Sequence, residues 1–276
     1  MIIDFHTHIF PPHVRDRRDE YLRRDPTFAE MYGSPRAKIA TAEDLLRSMD
    51  EAGVDVSVAL GFAWRDHEDC VRHNDYLLAA AERSGGRIVP FCALNMADAR
   101  AEREVERCAA AGARGIGELR PESQGWDLTG EPGDRLASLA RQHNLILLFH
   151  VTEPQGHDYP GKKGLSLDSF RRFLARSQGV AVVGAHLAGG LPLNDPPPPD
   201  AYADTAALRL LYEPRVLAEL AKTAWAGRLL FGSDFPLVSQ AAALADVRAG
   251  GLDSAALARA LGGNAGGLLP GVGSGR

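Results

Sequence analysis

Residues Leu145–His150 read LILLFH and residues Val180–His186 read VAVVGAH. Each run is apolar at nearly every position, and each closes on a histidine. A strand with one buried face alternates apolar and polar residues. Unbroken apolar runs of this length therefore fit strands covered on both faces of a parallel sheet. Working outward, similar runs recur at Ile2–His8, Val54–Gly61, Ile88–Leu94, Gly115–Leu119, Ala201–Asp204 and Leu229–Asp234, which makes eight. Helical spacing fills the intervals. Thr41 reads as the N-cap of a helix through Ala52, with Gly53 as its stop. Glu68–Ser84 ends at Gly85 and Asp98–Ala111 at Gly112. Leu167, Phe170 and Leu174 form an apolar stripe, and Glu213–Ala226 and Ser254–Leu261 complete the set. Eight strands alternating with helices over about 250 residues give an α/β fold, a (β/α)8 TIM barrel. No GxGxxG turn follows the first strand, which makes a doubly wound open sheet the weaker choice.

Two connections break the pattern. Ile9–Ala40 is too long for an ordinary loop, and about residues 10–40 are expected to form a lid over the C-terminal mouth of the barrel. Leu187–Asp200 contains Pro196–Pro199, so a stiff loop rather than a helix is expected between strands six and seven. No internal repeat is visible, and residues 1–276 read as one domain. The chain is 45% hydrophobic and 24% charged, the balance of a soluble globular protein rather than a disordered or fibrous one. No apolar run reaches the roughly 18 residues of a membrane span, and MIIDFHTHIF lacks a basic region before its apolar stretch. No membrane contact and a cytoplasmic location are expected. Cys70, Cys92 and Cys108 lack metal-ligand spacing and suit reduced thiols. A net charge of −5 argues against a nucleic-acid partner.

In such a barrel, chemistry gathers at the C-terminal strand ends. The first strand ends in His6-Thr7-His8, and alternation puts both imidazoles on one face. The fourth carries Glu118 in GIGELRP, the fifth ends in His150, the sixth in His186 and the eighth in Asp234. An HxH pair alone is weak evidence; five strand ends of eight carrying His, Glu or Asp are not. The set suits one or two divalent ions, zinc first and manganese second, with an open position for water. Such an ion lowers the pKa of bound water from about 15.7 toward about 7. Asp234 and His186 are the candidate catalytic residues, Asp234 as the group that takes a proton from the water. Arg120 follows Glu118 by two and should face the same cavity, where a guanidinium grips a substrate carboxylate. Trp64, with Phe62, walls the pocket or packs in the core with equal weight. Arg15, Arg17, Arg18, Arg23 and Arg24 stand among Asp16, Asp19, Glu20 and Asp25, so ion-paired helix faces are their default reading, with one or two of them gripping a substrate carboxylate at the mouth as the weaker one. Asp4 shares the parity of the HxH pair but lies deeper, and reads as structural or as a support behind the metal ligands. His67, His73 and His143 read as solvated helix faces or ends; for His13 and His157 substrate contact is the weaker reading.

DFHTH at 4–8, LLFHVTEP at 147–154, VVGAHLAGG at 182–190, ADTAA at 203–207 and LLFGSDFPL at 229–237 resemble the amidohydrolase superfamily. The similarity is to the amidohydrolase-related group that includes aminocarboxymuconate-semialdehyde decarboxylase, and NAGGLL at 264–269 resembles its closing segment. The resemblance implies that His6, His8, His150 and Asp234 bind metal and that His186 contacts a second metal or the substrate. The carbamylated lysine of many binuclear members has no counterpart, because none of Lys38, Lys162, Lys163 and Lys222 fits strand four. Glu118 stands there instead, as in the GEIG strand of TatD-like deoxyribonucleases, where the glutamate bridges two metals. Glu118 is read as a metal ligand, with pairing to Arg120 as the alternative. The activity implied is metal-dependent hydrolysis of an ester, lactone, amide or related bond of a small substrate. A metal-dependent decarboxylase or hydratase of a small carboxylic acid comes second, a TatD-like phosphodiesterase third and a non-catalytic barrel last. Members of the group often form homodimers, but no apolar stripe here marks an interface.

Overall fold

Parallel pairing runs unbroken from the first strand to the eighth. The structure, a computed structural model, describes residues 1–152, 156–158 and 160–272. The Glu153–Pro154 end of the LLFHVTEP motif lies outside the described residues. The strands are β1 (Ile3–His8), β2 (Val56–Leu60), β3 (Ile88–Cys92), β4 (Gly115–Leu119), β5 (Ile146–Phe149), β6 (Val182–Gly184), β7 (Ala201–Asp204) and β8 (Leu229–Leu230). They form one eight-stranded sheet in chain order. β8 returns to β1 through Phe5 N–H to Phe231 O at 2.7 Å, Asp234 N–H to His6 O at 2.9 Å and His8 N–H to Phe235 O at 2.7 Å. With helices between the strands, this is a (β/α)8 TIM barrel.

The unbroken apolar runs do what two-sided burial requires. Ile3, Phe5, Val58, Leu60, Phe91, Ile146, Leu148, Val183 and Leu230 pack into one cluster. Residues of opposite parity, such as Leu147, Phe149 and Val182, pack in a second cluster with helix residues including Leu136 and Phe170. In β1 the register slips between Asp4 and Thr7. This bulge breaks the parity that Asp4 was expected to share with His6 and His8. Asp4 accepts instead from Ser233 Oγ at 2.6 Å and Gln240 Nε2 at 2.8 Å.

The insertion after β1 folds as α1 (Pro12–Asp16), α2 (Arg18–Arg24) and α3 (Pro26–Tyr32). Phe10, Tyr21, Phe28 and Tyr32 pack there with Phe62 and Trp64. α4 (Ala42–Ala52) starts with a capping box of Thr41 and Asp44 and stops at Gly53, where φ is 71°, as the sequence implies. α5 (His67–Arg83), α6 (Ala101–Ala110), α7 (Pro121–Gln124), α8 (Glu131–Gln142) and α9 (Leu167–Arg176) follow. The helix expected over Glu213–Ala226 is broken into Val216–Leu220 and a 3-10 turn, Ala224–Gly227. No helix among the described residues is long and apolar enough to cross a membrane.

The connection after β6 corrects an expectation. Ala185–Asn194 is helical rather than a plain loop, and its first turn is left-handed, with φ of 59° at His186, 53° at Leu187, 49° at Ala188 and 61° at Gly189. A Cβ at Gly189 would lie 2.7 Å from Thr152 O, so only glycine fits. Leu187 and Ala188 lack that freedom, and the left-handed conformation costs them about 1–2 kcal/mol each. The Pro196–Pro199 stretch is free of helix and strand, as anticipated, within a connection that runs from Asp195 to Asp200. His67 and His73 are also corrected. Both are buried, at 7% and 2% exposure, rather than solvated.

Candidate active site

The HxH strand, the ends of β4, β5 and β6, and the turn after β8 deliver six side chains to one point. His6, His8 and Asp234 form one buried triad of donor atoms, and Glu118, His150 and His186 a second. His6 Nε2 lies 3.1 Å from His8 Nε2, and Asp234 Oδ1 lies 3.7 Å and 3.5 Å from the two. His150 Nδ1 lies 2.9 Å from Glu118 Oε1 and 3.2 Å from His186 Nε2. Glu118 joins the triads, because its Oε2 is 3.5 Å from His8 Nε2. Donors tetrahedrally arranged around an ion, with bonds of about 2.1 Å, stand about 3.4 Å apart.

The outer ring nitrogens fix which atoms face inward. Asp204 Oδ2 lies 2.8 Å from His6 Nδ1, and Ala206 O lies 3.1 Å from His186 Nδ1. Those rings donate from Nδ1 and present Nε2 to the cluster. His150 is reversed, with Nε2 on Lys162 O at 3.0 Å and Nδ1 inward. Asp204 was missed in the sequence reading. It closes β7 in the ADTAA motif, so the strand-end rule that found the other residues would have found it too.

Charge argues for a cation here. Glu118, Asp204 and Asp234 are 6%, 0% and 8% exposed. Their ion pairs among the described residues are all with histidines, never with lysine or arginine. Burial alone would push His6 down, yet Asp204 and Glu118 outweigh it and hold the ring at about 10. Burial would raise the Glu118 carboxyl, but His150 and His6 hold it well below the usual range. Buried carboxylates need nearby positive charge or hydrogen-bond donors to stay ionised. Four imidazoles and two carboxylates form a donor set that fits a divalent ion.

Above the cluster is a cavity of about 80 Å³ lined by His8, Glu118, His150, His186 and Asp234 below and by Met31, Tyr32, Ala37, Lys38, Pro160, Gly161, Pro236 and Leu237 around it. Four of these come from the insertion, which therefore supplies part of the cavity wall. None of Arg15, Arg17, Arg18, Arg23 and Arg24 lines it. Arg15 pairs with Asp44, Arg24 with Asp69 and Arg17 with Glu20, while Arg18 holds the carbonyls of Tyr32 and Ser34. His13 and His157 are also absent from the lining. A wider bowl at the opposite end of the barrel contains Arg87 and Arg114 but no histidine or cysteine.

Two residues expected at the substrate lie elsewhere. Trp64 is 1% exposed, donates from Nε1 to His73 Nδ1 at 3.0 Å and stacks on Phe28 at 5.3 Å. It is core beneath the insertion rather than cavity wall, because the chain turns after β2 into that aromatic cluster. Arg120 is 3% exposed and does not line the cavity. Its Nη2 donates to Gly161 O at 2.9 Å and to Lys163 O, and its Nη1 touches Met31 Sδ at 3.1 Å. No local pattern around Arg120 foretells that those carbonyls fold over it.

Comparison with known proteins follows the same lines. The family model described as Amidohydrolase matches residues 3–271. A search of curated proteins returns no match. Among solved structures, 5-carboxyvanillate decarboxylase LigW from Sphingomonas paucimobilis is similar with a TM-score of 0.77 and 17% identity, covering 97% of this chain and 98% of that one. A dihydroxybenzoic acid decarboxylase from Polaromonas sp. JS666, with manganese and the inhibitor 2-nitroresorcinol, gives 0.73 and 17%, covering 97% and 96%. A protein from Pseudomonas putida put forward as a 2-pyrone-4,6-dicarboxylic acid hydrolase gives 0.68 and 17%, covering 97% and 96%.

Proposed function

The chain belongs to the amidohydrolase family, and from that premise we propose that it is a divalent-metal-dependent lyase that removes carbon dioxide from a small carboxylic acid. The observation that carries this reading is the cavity itself. Buried carboxylates and imidazoles form its floor, apolar Met31, Pro160, Pro236 and Leu237 form much of its wall, and among the described residues Lys38 is the one lysine or arginine in its lining. An apolar wall disfavours a carboxylate relative to neutral carbon dioxide. A single ammonium suits a small acid and not a phosphate backbone. The decarboxylases among the similar structures support the same direction.

His6, His8, Glu118, His150 and Asp234 would hold the ion, with zinc the first assignment and manganese the second. When bound, a divalent ion supplies Lewis-acid charge for the substrate's oxygens. Lys38 orients the acid from the wall. His186, in the floor of the cavity with its Nδ1–H donated to Ala206 O, acts as an imidazolium that carries a second proton on Nε2. Loss of carbon dioxide leaves the bonding pair on carbon, and that proton converts it to a C–H bond.

A second reading, hydrolysis, is favoured by one observation. Glu118 spans both triads, an arrangement suited to two ions sharing one site. The test is a panel of hydroxybenzoates and unsaturated dicarboxylates beside lactones and aryl esters, with the zinc- or manganese-loaded protein, followed by mass detection of carbon dioxide. Gas release with inert esters supports the lyase. Ester or lactone turnover without gas overturns it in favour of hydrolysis.

A further inference from the structure

Arg120 stands beside the cluster without facing the cavity, and its surroundings assign it a different task. The backbone from Gly161 to Gly164 crosses the outer edge of His150. Arg120 Nη2 donates to the carbonyls of Gly161, at 2.9 Å, and Lys163. The carbonyl between them, Lys162 O, is the one 3.0 Å from His150 Nε2. On the far side, Gly164 N–H donates to Thr152 Oγ1 at 2.8 Å, and a Cβ on Gly164 would collide with His150 Cδ2. From the insertion, Glu30 Oε1 accepts from Gly161 N–H at 3.2 Å.

We propose that Arg120 is a positioning residue for His150: by gripping the carbonyls on both sides of Lys162, it aims Lys162 O at His150 Nε2 and so leaves Nδ1 as the atom offered to the cluster. This inference rests on the metal-site reading of the previous subsection.

The physical reasoning is direct. A neutral imidazole has one N–H, and the partner of the outer nitrogen decides which nitrogen keeps its lone pair. Asp204 and Ala206 O do this for His6 and His186 from short, well-anchored strand ends. Lys162 O belongs to a segment with no strand or helix of its own, so its aim must be held by side chains. Both bonds leave one nitrogen, Nη2, whose two N–H groups are fixed in the guanidinium plane, whereas the donors of an ammonium rotate freely on a flexible stem. Arg120 acts through the backbone and touches neither substrate nor ion.

The test compares wild type, Arg120→Met and Arg120→Lys loaded with zinc, with the rate of zinc loss to a colorimetric chelator as readout. Partners of this kind tune metal affinity by about 10–100-fold. We expect Arg120→Met to lose zinc 10–100 times faster, Arg120→Lys to fall between, and tens of millimolar guanidinium to slow the loss from Arg120→Met but not from wild type. The same zinc retention in all three overturns the proposal. A wild type that binds no zinc or manganese overturns the metal-site reading instead. Should the variants fail to fold, nitrogen-15 NMR of the wild-type protein decides. A His150 ring protonated on Nε2 supports the proposal, and one protonated on Nδ1 overturns it.

Discussion

Asp204 Oδ2 lies 2.8 Å from His6 Nδ1, joining the end of β7 to the first histidine of the HxH strand across 198 positions of sequence. Both side chains are fully buried, so the contact is a charge-assisted hydrogen bond shielded from water. The other oxygen, Oδ1, accepts from the amides of His186, at 2.9 Å, and Ala206, at 3.0 Å. One carboxylate thus sets two of the four histidines.

Asp204→Asn keeps an acceptor for those amides but removes the charge behind His6. The metal-free variant should melt within a few degrees of wild type, while zinc affinity drops about 10–100-fold. Chelator competition measures the drop; an unchanged affinity would remove Asp204 from the site.

Glu118 contacts both triads, so its charge matters to each. Glu118→Gln should lower the metal content of protein purified without added metal, as measured by plasma mass spectrometry. Near two ions per chain in wild type, falling to one or fewer in the variant, would support the bridge and with it the hydrolytic reading. One ion per chain in both would place Glu118 outside the coordination shell.

Lys38→Met should weaken carboxylate recognition while leaving the floor of the site intact. A hydrogen bond between charged groups contributes about 1.5–3 kcal/mol, so KM for an active acid should rise roughly 10–100-fold with a much smaller change in kcat. A change confined to kcat contradicts the role given to Lys38.

His73 ties the insertion to the barrel. Its Nε2 meets Ile9 O at 2.7 Å, and its Nδ1 accepts from Trp64 Nε1 at 3.0 Å. Burial pushes its pKa down to about 4, with the Ile9 bond acting in the other direction and the charges of His8 and His13 adding to the depression. In the unfolded chain the ring protonates near 6.5. Between about pH 6.5 and pH 4 the unfolded state therefore binds a proton that the folded state refuses, and stability falls as pH drops. Above pH 7 this group has no further effect. The full loss is about 3 kcal/mol. Urea midpoints from pH 4 to 7.5 should fall more steeply for wild type than for His73→Gln; parallel curves would show that the buried ring does not resist protonation.

The barrel was legible because two-sided burial leaves an unmistakable apolar run, and the cluster because six of its residues sit at or just past the ends of such runs. Asp204 obeyed the same rule and was simply not weighed. The failures share a cause, which is contact between segments far apart in sequence. Helical period places His73 on α5 but cannot reveal that Phe10, Phe62 and Trp64 fold against it. Parity brings Arg120 beside Glu118 but is silent about the carbonyls of Gly161 and Lys163. The left-handed turn at His186–Gly190 is announced by its two glycines alone; Leu187 and Ala188 take the same conformation between His186, whose N–H is held by the Asp204 carboxylate, and Gly189, which packs against Thr152.

The return of β8 to β1 carries a last consequence. Only a few backbone bonds, at Phe5, His8 and Asp234, stitch this seam, where the first and last strands of the cylinder meet. His6 and His8 lie on one side of it and Asp234 on the other. An ion held by these three would rivet the two ends of the sheet together, so that loading the site and locking the cylinder shut become one event.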